Sequence, residues 1–208
     1  MDERTALYYQ SNAQERADLY ESVESPLAAI LPRLFTPGQT VLDVGAGSGR
    51  DCATLLSLKI DAHGIEPVLE LYREAITRHP ELINRVVHTT LEDYAPTHRG
   101  RYDGVLLSAV LMHVPDSQLF NFVLAIRELL KPGGTLVVSV PLERDDADPT
   151  THRDASGRLF VLRSEAEIAL PFERLGFTVE SRFQSDDSLG RDALWATIVF
   201  TLGTGGRG

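Results

Sequence analysis

The stretch Val41–Asp51 reads VLDVGAGSGRD, and the fold turns on how it is read. Val41, Leu42 and Val44 form a short apolar run around a single acid, Asp43. Bounded by turn residues, such a run fits a buried parallel strand. Gly45, Gly47 and Gly49 then alternate with Ala46 and Ser48. Glycine accepts positive φ and lets a backbone approach a ligand closely, so this spacing predicts a tight, ligand-hugging turn. From Arg50 onward the apolar positions Cys52, Leu55, Leu56 and Leu58 take a helical rhythm. Strand, glycine turn and helix in that order open a nucleotide-type α/β site.

A dinucleotide turn runs G-x-G-x-x-G and sets a helix N-terminus on a pyrophosphate. Counted from Gly45, its third glycine belongs at position 50, where Arg50 stands. The spacing here is G-x-G-x-G behind an acid, and Asp43 repels a phosphate but attracts an ammonium or sulfonium centre. A nicotinamide or flavin site, or a plain strand–turn–helix, are the alternatives these residues leave open. The stretch resembles motif I of the class I S-adenosylmethionine (SAM)-dependent methyltransferases. That resemblance implies that Asp43, Gly45, Ala46, Gly47 and Arg50 surround the methionine moiety of SAM.

Further segments follow in order. Ile60–Glu66 gives a short strand ending in an acid, and Glu66 lies 21 residues after Gly45. That is near the roughly 20-residue offset at which an acid reaches ribose hydroxyls in such folds. A carboxylate accepts two hydroxyl hydrogen bonds at once, so Glu66, with Pro67 beside it, is the candidate ribose site for SAM and NAD alike. Val68–Arg78 reads as an amphipathic helix and Val86-Val87 as a third strand. In the resembling family the next turn contacts adenine, which implies Leu91 and Glu92; Thr90 stands where an aspartate is common, a departure.

Tyr102–Met112, YDGVLLSAVLM, is a buried strand that breaks at Ser108-Ala109 before His113-Val114-Pro115-Asp116. It resembles motif IV of the same family, where the strand end floors the site, implying Ser108 and Ala109. Amino-methyltransferases of DNA and RNA carry Asn/Asp-Pro-Pro-aromatic here and cytosine-C5 enzymes a cysteine; this chain has neither. His113 is the candidate general base, since imidazole titrates near neutrality. Asp116-Ser117 is expected to cap the next helix. The run FVLAIRELLKPGGTLVVSVP, Phe122–Pro141, is similar to the segment that follows motif IV in the family.

The flanks carry less pattern. Ser25-Pro26 predicts a helix to about Phe35. YYQSNAQERADLYESV, Tyr8–Val23, is similar to the N-terminal cap of small-molecule methyltransferases, which makes Tyr9 and Tyr20 candidates for the acceptor pocket. The polar stretch 142–164 reads as a lid or insert, in which His152, Arg153, Arg158 and Arg163 are candidates to hold an anionic acceptor. A solvated mixed-charge loop is the alternative there. Trp195 is expected in the core, and the tail Gly203–Gly208 is expected to fray.

At 208 residues the chain reads as one domain: a helical cap (1–36), a cofactor core (40–141), the insert (142–164), and a final helix with an antiparallel strand pair (165–202). A net charge of −10 argues against holding bulk nucleic acid, which needs cationic surface. One cysteine, Cys52, excludes a disulfide framework or a cysteine metal site, and no metal is expected. No apolar run reaches the spanning length of about 20 residues. The N-terminal residues do not look like a signal peptide, so a cytoplasmic protein is expected. The resemblance implies a Rossmann-like, doubly wound, seven-stranded, mostly parallel α/β sheet with an antiparallel last strand. It implies transfer of a methyl group from SAM, leaving S-adenosylhomocysteine (SAH), to an oxygen or nitrogen of a small-molecule acceptor. A non-catalytic SAM-binding sensor or partner subunit, a tRNA or protein methyltransferase, and an NAD-type oxidoreductase remain alternatives, and the oligomeric state is left open.

Overall fold

The computed structural model describes residues 1–187 and 193–205; the last part of the expected frayed tail, 206–208, lies outside the described residues. Two helices, α1 (Glu3–Ser11) and α2 (Ala13–Glu21), lead through turns to the short α3 (Leu31–Leu34). Strands and helices then alternate: β1 (Thr40–Val44), α4 (Arg50–Ser57), β2 (Asp61–Glu66), α5 (Leu69–Arg78), β3 (Val86–His88), α6 (Leu91–Tyr94), β4 (Tyr102–Ser108), α7 (Asp116–Leu129) and β5 (Leu130–Pro141). The insert carries a two-stranded ribbon, β6 (Ala147–Asp148) with β7 (Arg153–Asp154). The chain closes with α8 (Glu165–Arg174), β8 (Phe177–Asp186) and β9 (Leu194–Leu202).

Seven strands form one sheet in the order β3-β2-β1-β4-β5-β9-β8. The pairs from β3 to β5 are parallel, and β9 runs antiparallel between β5 and β8. The expected architecture is therefore the observed one. Chain order reverses between β1 and β4, which opens a crevice at their carboxyl ends, where α/β sheets bind ligands.

Alternation along the central strands fills both faces. Leu42, Val44, Val105, Leu107, Leu136 and Val138 pack in one cluster with Val123 and Ile126 of α7, Phe172 of α8 and Phe200 of β9. Val41, Leu106 and Val137 face the other way, onto Leu31, Cys52 and Leu55 of α3 and α4. Asp43 shares this second parity, which is why the one acid of β1 meets the Sγ of Cys52, 3.8 Å from its Oδ2.

Local expectations fail where side chains have more distant partners. The helix expected over 25–35 is reduced to α3: Ser25 Oγ accepts from the Leu27 N–H at 3.1 Å and the chain turns before it coils. Asp116 does not cap α7; Pro115 occupies that position, and the Asp116 carboxylate binds Arg163 at 2.7 Å. The acidic turn after β3 is helical rather than loose, because Thr90 Oγ1 accepts from the Asp93 N–H as a cap. Ser164 does cap α8, in a reciprocal box with Glu167. Trp195 packs against the core from its edge, partly exposed, and also lines a cavity.

Candidate active site

The turn after β1 is built on three left-handed glycines, Gly45 (φ 76°), Gly47 (φ 57°) and Gly49 (φ 86°). A Cβ on Gly45 would stand 2.8 Å from Val110 Cγ2, and one on Gly49 would stand 2.6 Å from Leu82 Cδ1. Packing and φ therefore both demand glycine there. The turn aims the Gly47 N–H at Glu66 Oε2 (2.9 Å), while Glu66 Oε1 accepts from the Val68 N–H (2.8 Å). Burial pushes the Glu66 carboxyl up to about 7, and these two N–H bonds restrain the rise.

Glu66 belongs to a buried acidic group with Asp43 and Asp51. Burial, then the charges of Asp51 and Glu66, push the Asp43 carboxyl well above the usual carboxylate range. Oδ1 of Asp43 and Oδ1 of Asp51 are buried without a hydrogen-bond partner. Arg50 balances them only at a distance: its Nε is 3.7 Å from Asp51, while its Nη1 donates to the carbonyls of Tyr20 (2.6 Å) and Val23 (3.1 Å). Unmatched buried acceptors in an acid-rich pocket suit a cation with N–H donors. The ammonium of SAM supplies the donors and its sulfonium a second positive charge, whereas a pyrophosphate supplies neither, so the residues present fit the group. Among the described residues no set of three or more His, Cys, Asp or Glu is placed to hold a metal.

These acids face a cavity of about 190 Å³ at the carboxyl ends of β1, β2 and β4. Gly45, Ala46, Gly47, Pro67, Leu91 and Glu92 line it. A second cavity of about 90 Å³ adjoins it, and Tyr9, Tyr20, Arg50, Ser108 and Ala109 line both. Ala109 holds φ 59°, a left-handed conformation uncommon outside glycine, with its N–H on the Ser139 carbonyl at 2.8 Å. The kink ends β4 where the two cavities meet.

His113 is buried at the wall of the larger cavity, with Nδ1 2.6 Å from the Leu159 carbonyl. A carbonyl only accepts, so Nδ1 carries the proton and Nε2 accepts from the Tyr9 hydroxyl at 3.1 Å. Burial pulls the ring down to about 4, so it is neutral near pH 7. Burial likewise holds the Tyr20 phenol protonated, reinforced by Tyr9. The lone pair expected to serve as a base is thus occupied by the Tyr9 hydroxyl, and both residues line the larger cavity.

The insert divides its candidates. Arg158 reaches the smaller cavity, paired with Asp154 at 2.6 Å. Arg153 instead binds Asp2 at 2.8 Å, His152 is exposed at φ 54°, and neither lines a cavity. Arg163 serves the loop itself, donating to the carbonyls of Leu111 and Val114. Sequence reasoning missed Asp51, Arg144 and Phe160. Asp51 was legible as an acid one turn from Asp43; Arg144 and Phe160 lie in a stretch without periodicity.

A methyltransferase-domain family profile matches residues 11–182 of this chain. The chain belongs to that family. It stands with the class I SAM-dependent methyltransferases, for which SAM is the cofactor, and the nicotinamide alternative falls away. An Escherichia coli ubiquinone biosynthesis O-methyltransferase is 30% identical over 182 residues, 81% of this methyltransferase and 72% of the relative. The Escherichia fergusonii protein of the same description is 36% identical over 109 residues, and there the match spans only 42% of the relative's length. Among solved structures, a Burkholderia thailandensis 1,6-didemethyltoxoflavin-N1-methyltransferase with bound 1,6-didemethyltoxoflavin and SAH superposes with a TM-score of 0.77. It is 22% identical and covers 95% of this methyltransferase and 88% of the relative, a likeness of fold. No helix among the described residues is long and apolar enough to cross a membrane.

Proposed function

We propose that this methyltransferase moves a methyl group from SAM to an oxygen or nitrogen of a small molecule. The observation that carries this reading is the pair of cavities meeting at Ser108 and Ala109, one acid-lined and one lined by aromatic side chains with both arginines and aspartates. SAM, when bound, supplies an electrophilic methyl group on sulfur, which an acceptor lone pair takes as the carbon–sulfur bond breaks. Asp43 and Asp51 would hold the ammonium, with Gly45, Ala46 and Gly47 giving the backbone its close approach. Arg50 stands at the same end, tied to the cap carbonyls. Glu66, beside Pro67, would accept from the ribose hydroxyls, and Leu91 and Glu92 would flank the adenine. Both Glu66 oxygens keep a lone pair after their backbone bonds.

The chain's contribution to rate is alignment in a site screened from water, which suits an acceptor that is already nucleophilic. Tyr9, donating to neutral His113, is placed to take an acceptor proton as its own passes to Nε2. The cytoplasmic location expected from the sequence remains part of this proposal.

The test is incubation of the protein with methyl-labelled SAM and separate pools of small metabolites, tRNA and protein. Label in the small-metabolite pool, with matching SAH, is the expected result. Label confined to tRNA or protein contradicts the acceptor class, and SAM bound with no turnover on any pool favours a sensor or partner subunit.

A further inference from the structure

Deepening the reading above, and resting on it, we propose that the smaller cavity takes a compact, planar aromatic acceptor carrying one carboxylate or carbonyl group, held by Arg144 and Arg158. Size points that way first. At about 90 Å³ the cavity is half the volume of its 190 Å³ neighbour, which must hold an entire nucleoside with its amino-acid arm. One substituted ring fits that proportion.

The walls give the second argument. Tyr9, Tyr20, Phe160 and Trp195 line the cavity, and a flat π-system packs against aromatic walls better than a small aliphatic amine does. The guanidinium carbon of Arg144 lies 4.0 Å from the Phe160 ring centre, and that of Arg158 lies 5.1 Å from it, so both cations are pinned to the same ring.

The hydrogen-bond inventory gives the third. Arg144 donates Nε (2.7 Å) and Nη2 to the two oxygens of Asp146. Arg158 donates Nε (2.8 Å) to Asp154 Oδ2 and sets Nη2 2.6 Å from it. Each aspartate thus fixes one edge of its guanidinium, and among the described residues neither Nη1 has a hydrogen-bond partner. The Trp195 indole N–H is buried without a hydrogen-bond partner, a third unmatched donor in the same wall. Such donors call for an oxygen acceptor. Asp186 and Asp187 also line the cavity, which favours a single acid or carbonyl group over a phosphate.

Trp195 is the only tryptophan and lines the smaller cavity alone, so its emission reports that site directly. The experiment first measures SAH binding by calorimetry. The SAH-loaded protein is then titrated, following Trp195 fluorescence, with 3,4-dihydroxybenzoate, 3,4-dihydroxybenzaldehyde, catechol, cyclohexanecarboxylate and sarcosine. The expected result is saturable binding of the first two, about tenfold or more tighter than the other three. Arg144→Met is expected to erase that preference while leaving SAH affinity unchanged. Where that variant fails to fold, Arg158→Lys, which keeps a charge for Asp154, serves instead. SAH binding with no response to any probe, or with aliphatic probes equal to aromatic ones, overturns this inference and leaves the methyltransferase reading standing. Absence of SAH binding overturns both.

Discussion

Glu66 is buried with each carboxylate oxygen already accepting a backbone N–H, and burial lifts its proton affinity to about pH 7. An ionised carboxylate accepts from a ribose diol better than a protonated one, so SAH affinity is expected to rise as pH increases through 7. Calorimetry across pH 6 to 8 would show it, with the dependence lost in Glu66→Gln. Stability runs the other way: a carboxyl whose folded value exceeds its usual 4.5 disfavours folding increasingly from pH 4.5 up to about 7. Glu66→Ala is expected to weaken SAH binding by more than about tenfold while the protein stays folded; unchanged affinity would remove Glu66 from the site. His113 has the opposite linkage. Its folded value of about 4 lies below the ordinary 6.5, so the stability it contributes is full above 6.5 and lost as pH falls through 4. Denaturant titrations are expected to show a shallower acid decline in His113→Gln than in the unmodified protein.

At the scale of elements, α1 is held to the insert twice, both times through its first turn. Asp2 caps it through the Thr5 N–H at 3.0 Å and binds Arg153, while Thr5 Oγ1 accepts from the Leu159 N–H at 2.9 Å. Asp2→Ala removes the cap and the ion pair together, a cost of about 1–2 kcal/mol. Hydrogen exchange is expected to quicken across residues 3–21 and the insert, with the central strands unchanged; uniform loss of protection would mean the cap is not a separate unit. These contacts also explain what the sequence could not reveal. Asp2 and Arg153 are 151 residues apart and Thr5 and Leu159 are 154 apart, so no local period announces them. Asp116 misled for the same reason, since it has the composition of a cap but its carboxylate goes to Arg163, 47 residues on. Asp43, Glu66 and Ser108-Ala109, which line the larger cavity, stand at strand ends, where apolar run and turn chemistry fix position from a few residues.

For the whole molecule, the sheet was readable because its central strands are buried on both faces and spell apolar runs with few polar interruptions. The smaller cavity was not, since it is assembled from α1, α2, α4, the end of β4, the insert, β8 and β9, none of which signals the others. The far half of the sheet relies on Phe172, Phe177 and Phe200, packed with Phe200 5.0 Å from Phe172 between ring centres. Phe200→Ala is expected to cost about 3–5 kcal/mol and to lower the melting temperature by roughly 10 °C, read by calorimetric scanning. SAH affinity at low temperature should survive, because the acid-lined crevice lies on the other side of β4. The central claim is that this crevice is built for a cationic sulfonium cofactor and not for a dinucleotide. Parallel calorimetric titrations with SAM, SAH and NAD test it most directly. Micromolar binding of SAM and SAH with none of NAD is the predicted result; binding of NAD alone would contradict the account.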